Sequence, residues 1–261
     1  MLYNSEYLAN DLRKLGVQSG DIILMHSGFR NIHAQSIAAV IEALKEVLTA
    51  DGTLVMPSFP GGSEFFMVQS GIVFDVRTRP SECGIITEYF RKMPDVRRSL
   101  NPGHCMAAWG KEAESILAGH EKCRVSAGWG SPFEKIIQKH GKILLVGVTN
   151  NNNTTLHYVE NTHGAPTVCG VEYFPKVITE DGKCITVPTF PHMPGLPRDY
   201  AKVEPILEDA GIQKRGLFGD AETRIIDAFA MNELIGGMIE KDRTFLVKRF
   251  ELENFPQVQT V

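Results

Sequence analysis

The chain has 261 residues, 43% of them hydrophobic and 22% charged, with a net charge of −4 and a pI of about 6.1. Such a length and composition suit an ordinary globular protein with one sizeable core. The slight acidic excess argues against a role on nucleic acid or at a membrane surface, because both favour a basic excess.

The first sixteen residues, MLYNSEYLANDLRKLG, read as a charged amphipathic helix rather than a signal peptide, with the helical period strongest over residues 8–15. Residues 21–25 (DIILM) form a short apolar run after the Ser19-Gly20 turn, which predicts a buried strand. A second helix is predicted over 36–48 with Ser36 as its N-cap, and Asp51-Gly52 turns into a strand at 53–56. This βαβ-like alternation makes an α/β layered fold the expectation. Residues 60–80, rich in Gly, Phe and Pro, read as an irregular excursion. Helices are predicted at 83–92, 112–118 and 132–139, the last capped by Ser131. KILLVGV, over 142–148, is the clearest strand, and the Asn-rich turn at 150–153 leads into a helix beginning near Thr154. Residues 167–190 read as a β-meander with a hairpin turn at Asp181-Gly182. A Pro-rich loop over 191–197 and helices at about 199–209 and 221–239 follow. No apolar run reaches the roughly 18 residues of a membrane span. No linker or repeat divides the chain, so residues 1–261 are expected to form one domain.

Five cysteines, Cys83, Cys105, Cys123, Cys169 and Cys184, show neither paired spacing nor a CxxC motif. A reducing, cytoplasmic compartment is therefore expected. No HExxH or comparable pattern surrounds His157, His163 or His192, so no metal is expected, and no GxSxG elbow marks a serine hydrolase.

Three segments carry candidate chemistry. In GVTNNNNTTLHYVE (147–160) a strand ends, a polar turn follows and a helix begins, the place where α/β folds tend to hold ligands. Thr154, His157 and Glu160 are spaced three apart, so neighbours share a helix face. A carboxylate beside a histidine can orient the ring as a base; the same spacing also suits an ordinary solvated pair. The loop Met25-His26-Ser27-Gly28-Phe29-Arg30 offers backbone N–H groups, a hydroxyl and an arginine, which can cradle phosphates but can equally be a plain strand-to-helix connection. In RRSLNPGHC (97–105), two arginines adjoin His104 and Cys105. Adjacent residues on extended chain point to opposite sides, which argues against a His104–Cys105 pair and for Cys105 as a small buried residue.

Taken in order, GDIILMHSGFRNI (20–32), DGTLVMPSFP (51–60), RRSLNPGHCMAAWG (97–110), GSPFEKI (130–136) and KILLVGVTNNNNTTLHYVE (142–160) resemble the aminoglycoside 3-N-acetyltransferase family, as do DYAKVEPIL and GDAETRIIDA nearer the C-terminus. The likeness runs from about residue 5 to 247. It implies a three-layer α/β/α sandwich around a mixed sheet, distinct from the GNAT fold, with acetyl-coenzyme A as donor and a small-molecule amine as acceptor. It makes His157 the catalytic histidine and Glu160 its acidic neighbour. His26, Ser27, Gly28, Phe29, Arg30 and Asn31 become the coenzyme-binding loop, with Arg98, Ser99 and His104 as another wall. Direct transfer without an acyl-enzyme is expected, and the oligomeric state, monomer or homodimer, is left open.

This sequence departs from the family in two places. Many members have Ser-Ser where Ser27-Gly28 stands here. Members acting on aminoglycosides carry acids near the position of residues 189–193, whereas this chain reads TFPHMPG and has no acid until Asp199. Polycationic acceptors depend on carboxylates. A less charged amino sugar, such as a nucleotide-linked one in cell-surface glycan synthesis, is thus the expected better acceptor, with Asp199 and His192 as candidate contacts. A non-catalytic coenzyme-A-binding protein is the alternative of another class.

Overall fold

A computed structural model of the chain describes residues 2–61, 64–247 and 258–259. The domain expected over 1–261 includes residues 1, 62–63, 248–257 and 260–261, which lie outside the described residues.

Helix α1 (Ser5–Leu15) starts where the Asn4 side chain accepts the Tyr7 N–H, and it stops at Gly16, whose φ of 93° only glycine adopts freely. Strand β1 (Ile22–Ser27) follows, then α2 (Ile37–Leu48), whose Ser36 cap accepts the Ala39 N–H, and β2 (Thr53–Pro57). The segment expected to be irregular contains a short helix, α3 (Glu64–Gln69), and a strand, β3 (Phe74–Asp75). After α4 (Ile85–Phe90) come β4 (Arg97–Arg98) and β5 (Met106–Gly110), in a stretch for which no element is predicted from the sequence. Helices α5 (Ala113–Leu117) and α6 (Pro132–Gln138) lead to β6 (Lys142–Val146) and α7 (Thr155–Thr162).

The meander is reduced to short pieces. Strand β7 (Val168–Cys169) pairs with residues 258–259, while β8 (Lys176–Ile178) and β9 (Cys184–Thr186) form the hairpin around Asp181-Gly182. Beyond α8 (Val203–Asp209), the helix expected over 221–239 is only half helix. Residues 213–227 form a hairpin, β10 (Gln213–Phe218) and β11 (Ala221–Asp227), before α9 (Ala228–Lys241) begins at its Asp227 cap. The reason is tertiary: β11 is hydrogen-bonded on both sides, to β10 and to β6, and that pairing overrides the helix-forming Ala and Glu at its start.

The main sheet runs β10-β11-β6-β1-β2-β5-β4. Its centre, β6-β1-β2, is parallel, and every other pairing is antiparallel. Side chains alternate across it as the period of two requires. Ile23, Met25, Leu144 and Val146 face α1 and α2, whereas Leu24, Ile143 and Leu145 face α6, α7 and α9. The result is helices on both faces of a mixed sheet, the three-layer α/β/α arrangement. A small third core of Phe74, Val76, Cys105, Val177 and Val187 supports the sheet β3-β8-β9. Among the described residues no helix is long and apolar enough to cross a membrane.

Candidate active site

Strands β1 and β6 lie side by side and end at the same edge, so the segments that leave them meet. The close approach needs glycine: Gly147 has a φ of 62°, and a Cβ there would lie 3.0 Å from the Asn31 side chain. Asn31 Nδ2 donates to Gly147 O at 3.0 Å, fastening the loop after β1 to the end of β6. The chain then turns through residues 150–152, and the Asn153 side chain accepts the Thr155 N–H as α7 begins.

Helix α7 carries His157 at a cavity wall and Glu160 in full burial. Their direct contact, His157 Nδ1 to Glu160 Oε2, is 3.4 Å. Two residues from the far side of the cleft complete the group. Tyr200 Oη donates to Glu160 Oε2 at 2.6 Å and lies 2.8 Å from His157 Nδ1, and Arg198 Nε lies 3.5 Å from Glu160 Oε2. Burial, with help from the neighbouring His192 ring and the Arg198 guanidinium, holds the His157 imidazole well below the usual histidine range, so it is neutral at neutral pH. Burial also raises Glu160, against the pull of Arg198 and the Tyr200 hydroxyl.

Around His157 stand two more imidazoles. Ring centroids are 4.5 Å apart for His157–His192, 5.3 Å for His104–His157 and 5.1 Å for His104–His192. Behind them lies Glu64, from the first turn of α3, with only 5% of its side chain exposed. Glu64 Oε2 accepts from the His192 backbone N–H at 3.0 Å and from His192 Nδ1–H at 2.7 Å. Its other oxygen accepts from the Ser126 hydroxyl, and His104 Nδ1–H donates to Ser126 Oγ at 2.7 Å. Burial alone would raise this carboxyl, but the imidazoles of His104 and His192 hold it well below the usual carboxylate range. Gly103 makes room for it, because a Cβ there would collide with the Glu64 carboxylate and lie 2.8 Å from the Ser126 Cβ. Glu64, His104 and His192 bring three donor atoms within 4.8 Å of one another, all engaged with protein partners. No spacing motif in the sequence marks this group, since its members come from three separate segments.

Two cavities meet here. One, of about 270 Å³, is lined by Glu64, His104, His157, His192 and Arg198. The other, of about 240 Å³, is lined by His26, Ser27, Cys83, Asn151 and Asn152. Both include Phe59 and Thr154 in their walls. His26 Nε2 and Thr154 Oγ1 are buried polar atoms without a hydrogen-bond partner among the described residues. Burial lowers the His26 imidazole to about 3. A third cavity, of about 450 Å³, adjoins the same loop at Asn31 and shares Val148 with the second.

Of the sequence candidates, His157, Glu160, His104 and His192 are gathered at the first cavity, and His26 and Ser27 line the second. Gly28 lies against Gly147 O, Phe29 is half-buried, and Arg30 is exposed with no ion pair among the described residues. Arg98 and Ser99 stand elsewhere, on an open cavity of about 470 Å³ with Glu114 and Asp181. The buried Arg98 guanidinium donates to Val76 O at 3.1 Å, to Arg79 O at 2.6 Å and to Ser58 O, and it stacks on Phe74. Ser99 Oγ accepts the Met106 N–H at 2.9 Å and lies 2.8 Å from His120 Nδ1. Both side chains are therefore committed within the fold. Asp199 does not line the first cavity; Arg198, beside it, does, and Tyr200 on its other side bonds the dyad. Cys105 is fully buried in the small core, its thiol donating to Ser99 O. Sequence reasoning missed Glu64, Arg198 and Tyr200. Glu64 lay in a segment without periodicity, whereas RDY directly after the Pro-rich loop was a visible cue read one residue off.

A family model described as aminoglycoside 3-N-acetyltransferase matches residues 24–240. Aminoglycoside N(3)-acetyltransferase IV of Salmonella sp is 32% identical over 227 residues, covering 84% of this chain and 80% of the relative. Among solved structures, a histidine-to-alanine mutant of aminoglycoside acetyltransferase AAC(3)-IVa in complex with a gentamicin superposes with a TM-score of 0.84 at 28% identity, covering 100% of this chain and 98% of that one. The binary complex of AAC-IIIb with CoASH shares the fold, with a TM-score of 0.82 at 24% identity over 92% of this chain and 97% of that one.

Proposed function

Because this chain belongs to the aminoglycoside 3-N-acetyltransferase family, a family of acyl-CoA-dependent N-acyltransferases, we propose that it acetylates a ring amine of an aminoglycoside, with His157 as general base. The observation that carries the reading is the pair of cavities that meet at Phe59 and Thr154, with His157 on one side and the β1 loop on the other. An elongated donor fits the β1 side, where two cavities adjoin through Val148 and polar atoms of His26 and Thr154 await partners. The acceptor fits the side of Glu64 and His157. An ammonium must lose a proton before its nitrogen can attack a thioester, and a neutral imidazole at the cavity wall can take it. His157 Nε2 has no hydrogen-bond partner among the described residues, whereas His192 Nε2 is taken by Asn161 Nδ2 at 3.0 Å.

The missing acids of the 189–193 loop had favoured a less charged amino sugar. Glu64 weakens that argument: it reaches the same loop from α3, 128 residues away in sequence, and is held ionised there. A carboxylate is thus present for a cationic acceptor although the loop itself has none. Five free cysteines suit a reducing compartment, so the cytoplasm is the proposed location of the reaction. The test is coenzyme A release with gentamicin and with a nucleotide-linked amino sugar. The specificity constant should favour gentamicin by more than tenfold. Preference for the nucleotide sugar would reverse the assignment, and no release with any amine would point to a binding protein.

A further inference from the structure

The His157–Glu160 pair does not touch well on its own. At 3.4 Å its N···O separation lies outside the roughly 2.7–2.9 Å of a charge-assisted hydrogen bond, whereas the two contacts of Tyr200 Oη, 2.6 Å to Glu160 and 2.8 Å to His157 Nδ1, are short. We propose that Tyr200 is a positioning residue that links Glu160 to His157, with the Arg198 guanidinium beside the same carboxylate oxygen. The proposal rests on the reading of His157 as the base.

With Glu160 ionised, the arrangement admits one consistent set of hydrogens. A carboxylate only accepts, so the Tyr200 hydroxyl donates to Glu160 Oε2. The Tyr200 oxygen can then accept only from His157 Nδ1–H. That fixes the ring as the Nδ1–H tautomer and leaves the Nε2 lone pair facing the cavity. Were Tyr200 replaced by Phe, Nδ1 would have only the long contact to Glu160, and the ring could carry its hydrogen on Nε2, where it cannot accept a proton. Packing alone does not call for a tyrosine: the ring is only 4% exposed, and a buried phenol needs a partner that a phenylalanine does not. The backbone around Tyr200 is also fixed. The Asp199 N–H donates to Leu246 O at 2.8 Å, Lys202 Nζ donates to Phe245 O at 2.9 Å, and Arg198 bridges Val247. The other charged and titratable groups that face His157 are Glu64 from α3, His104 from the loop before β5, and His192 and Arg198 from the Pro-rich segment. His104 Nδ1 is engaged with Ser126, and both His192 ring nitrogens are engaged, with Glu64 and Asn161.

The test combines ring 15N NMR of His157 with steady-state kinetics on Tyr200→Phe, with thermal melting to establish that the variant is folded. The wild-type ring should show the Nδ1–H pattern, and the variant a mixture of tautomers. Turnover should fall about ten- to a hundredfold, with the KM for acetyl-CoA within twofold. Adding Tyr200→Phe to Glu160→Gln should cost little more than Glu160→Gln alone, because both break one link. Unchanged ring signals, or fully additive losses, overturn the proposal. Changed ring signals with unaffected turnover uphold the positioning and instead remove His157 as the base. If Tyr200→Phe does not fold, a fluorinated, more acidic tyrosine at position 200 should shift the His157 ring signals, and no shift would overturn the proposal as well.

Discussion

Two buried imidazoles stand at one edge of the sheet, His26 at the end of β1 and His157 on the helix beyond β6, and burial lowers the basicity of both. They differ in company. Among the described residues His26 Nε2 has no hydrogen-bond partner, and burial alone lowers its basicity, so its positive form has no support. His157 has Tyr200 at Nδ1, Glu160 behind it and the charge of Glu64 acting to raise its basicity. Burial alone makes an imidazole neutral; burial beside carboxylates makes one that can become charged for a moment and return. The first suits hydrogen bonding to a donor molecule, the second suits proton transfer.

The sharpest test of this contrast is to truncate each ring. His157→Ala should lower turnover by about 10²–10⁴-fold, the usual loss for a general base, with acetyl-CoA affinity nearly intact. His26→Ala should act chiefly on acetyl-CoA affinity; an equal loss of turnover there would erase the distinction.

Two arginines extend the comparison to cations. Arg98 holds three backbone carbonyls, so Arg98→Ala should destabilise the fold by roughly 3 kcal/mol in chemical denaturation, while the folded protein binds acetyl-CoA as before. Arg30 is exposed and makes no ion pair among the described residues, so Arg30→Ala should leave stability unchanged and weaken acetyl-CoA binding about tenfold at low salt, less at high salt. Binding titrations that show the reverse would exchange their roles.

The smallest effect is on pH dependence. A base works in its neutral form, so a His157 held below the usual range keeps kcat/KM flat down through pH 6.5, with the acid limb beneath it. Stability runs the other way. His26 and His120 titrate at about 3 in the fold and near 6.5 once unfolded, so below pH 6.5 the unfolded chain binds protons that the native state refuses. The unfolding free energy from chemical denaturation should therefore fall as the pH drops from 6.5, by up to roughly 1.4 kcal/mol per pH unit for each ring. Stability independent of pH between 6.5 and 5 would contradict the burial of these two histidines.

The parts legible in the sequence were those written locally. Helical spacing three apart put His157 and Glu160 on one helix face, and Ser36 and Gly16 marked real helix ends. Strands β1, β2 and β6 were visible as short apolar runs because the parallel centre of a sheet is buried on both faces. What stayed hidden depends on contacts between distant segments. β11 has the composition of a helix and becomes a strand only because β6 and β10 flank it. Glu64 belongs to the cleft only through its bonds to His192 and Ser126. At residues 198–200 the charged Asp199 attracted attention, although it is the residues on either side of it that point inward, a question of orientation that composition does not answer.

The anchoring of the Tyr200 segment to residues 245–247 has a further consequence. Local opening of a peripheral segment ordinarily leaves distant chemistry untouched. Here the amide of Asp199 is held by Leu246, so each opening of that stretch releases the backbone that presents the phenol. Amide exchange at Asp199 should then follow the opening of 245–247, and the fraction of time spent open sets the fraction of molecules whose His157 ring is misaligned. Heating or mild denaturant should reduce turnover before the sheet itself melts. Residues 245–247 would then act as a latch on catalysis, although none of them lines the first cavity.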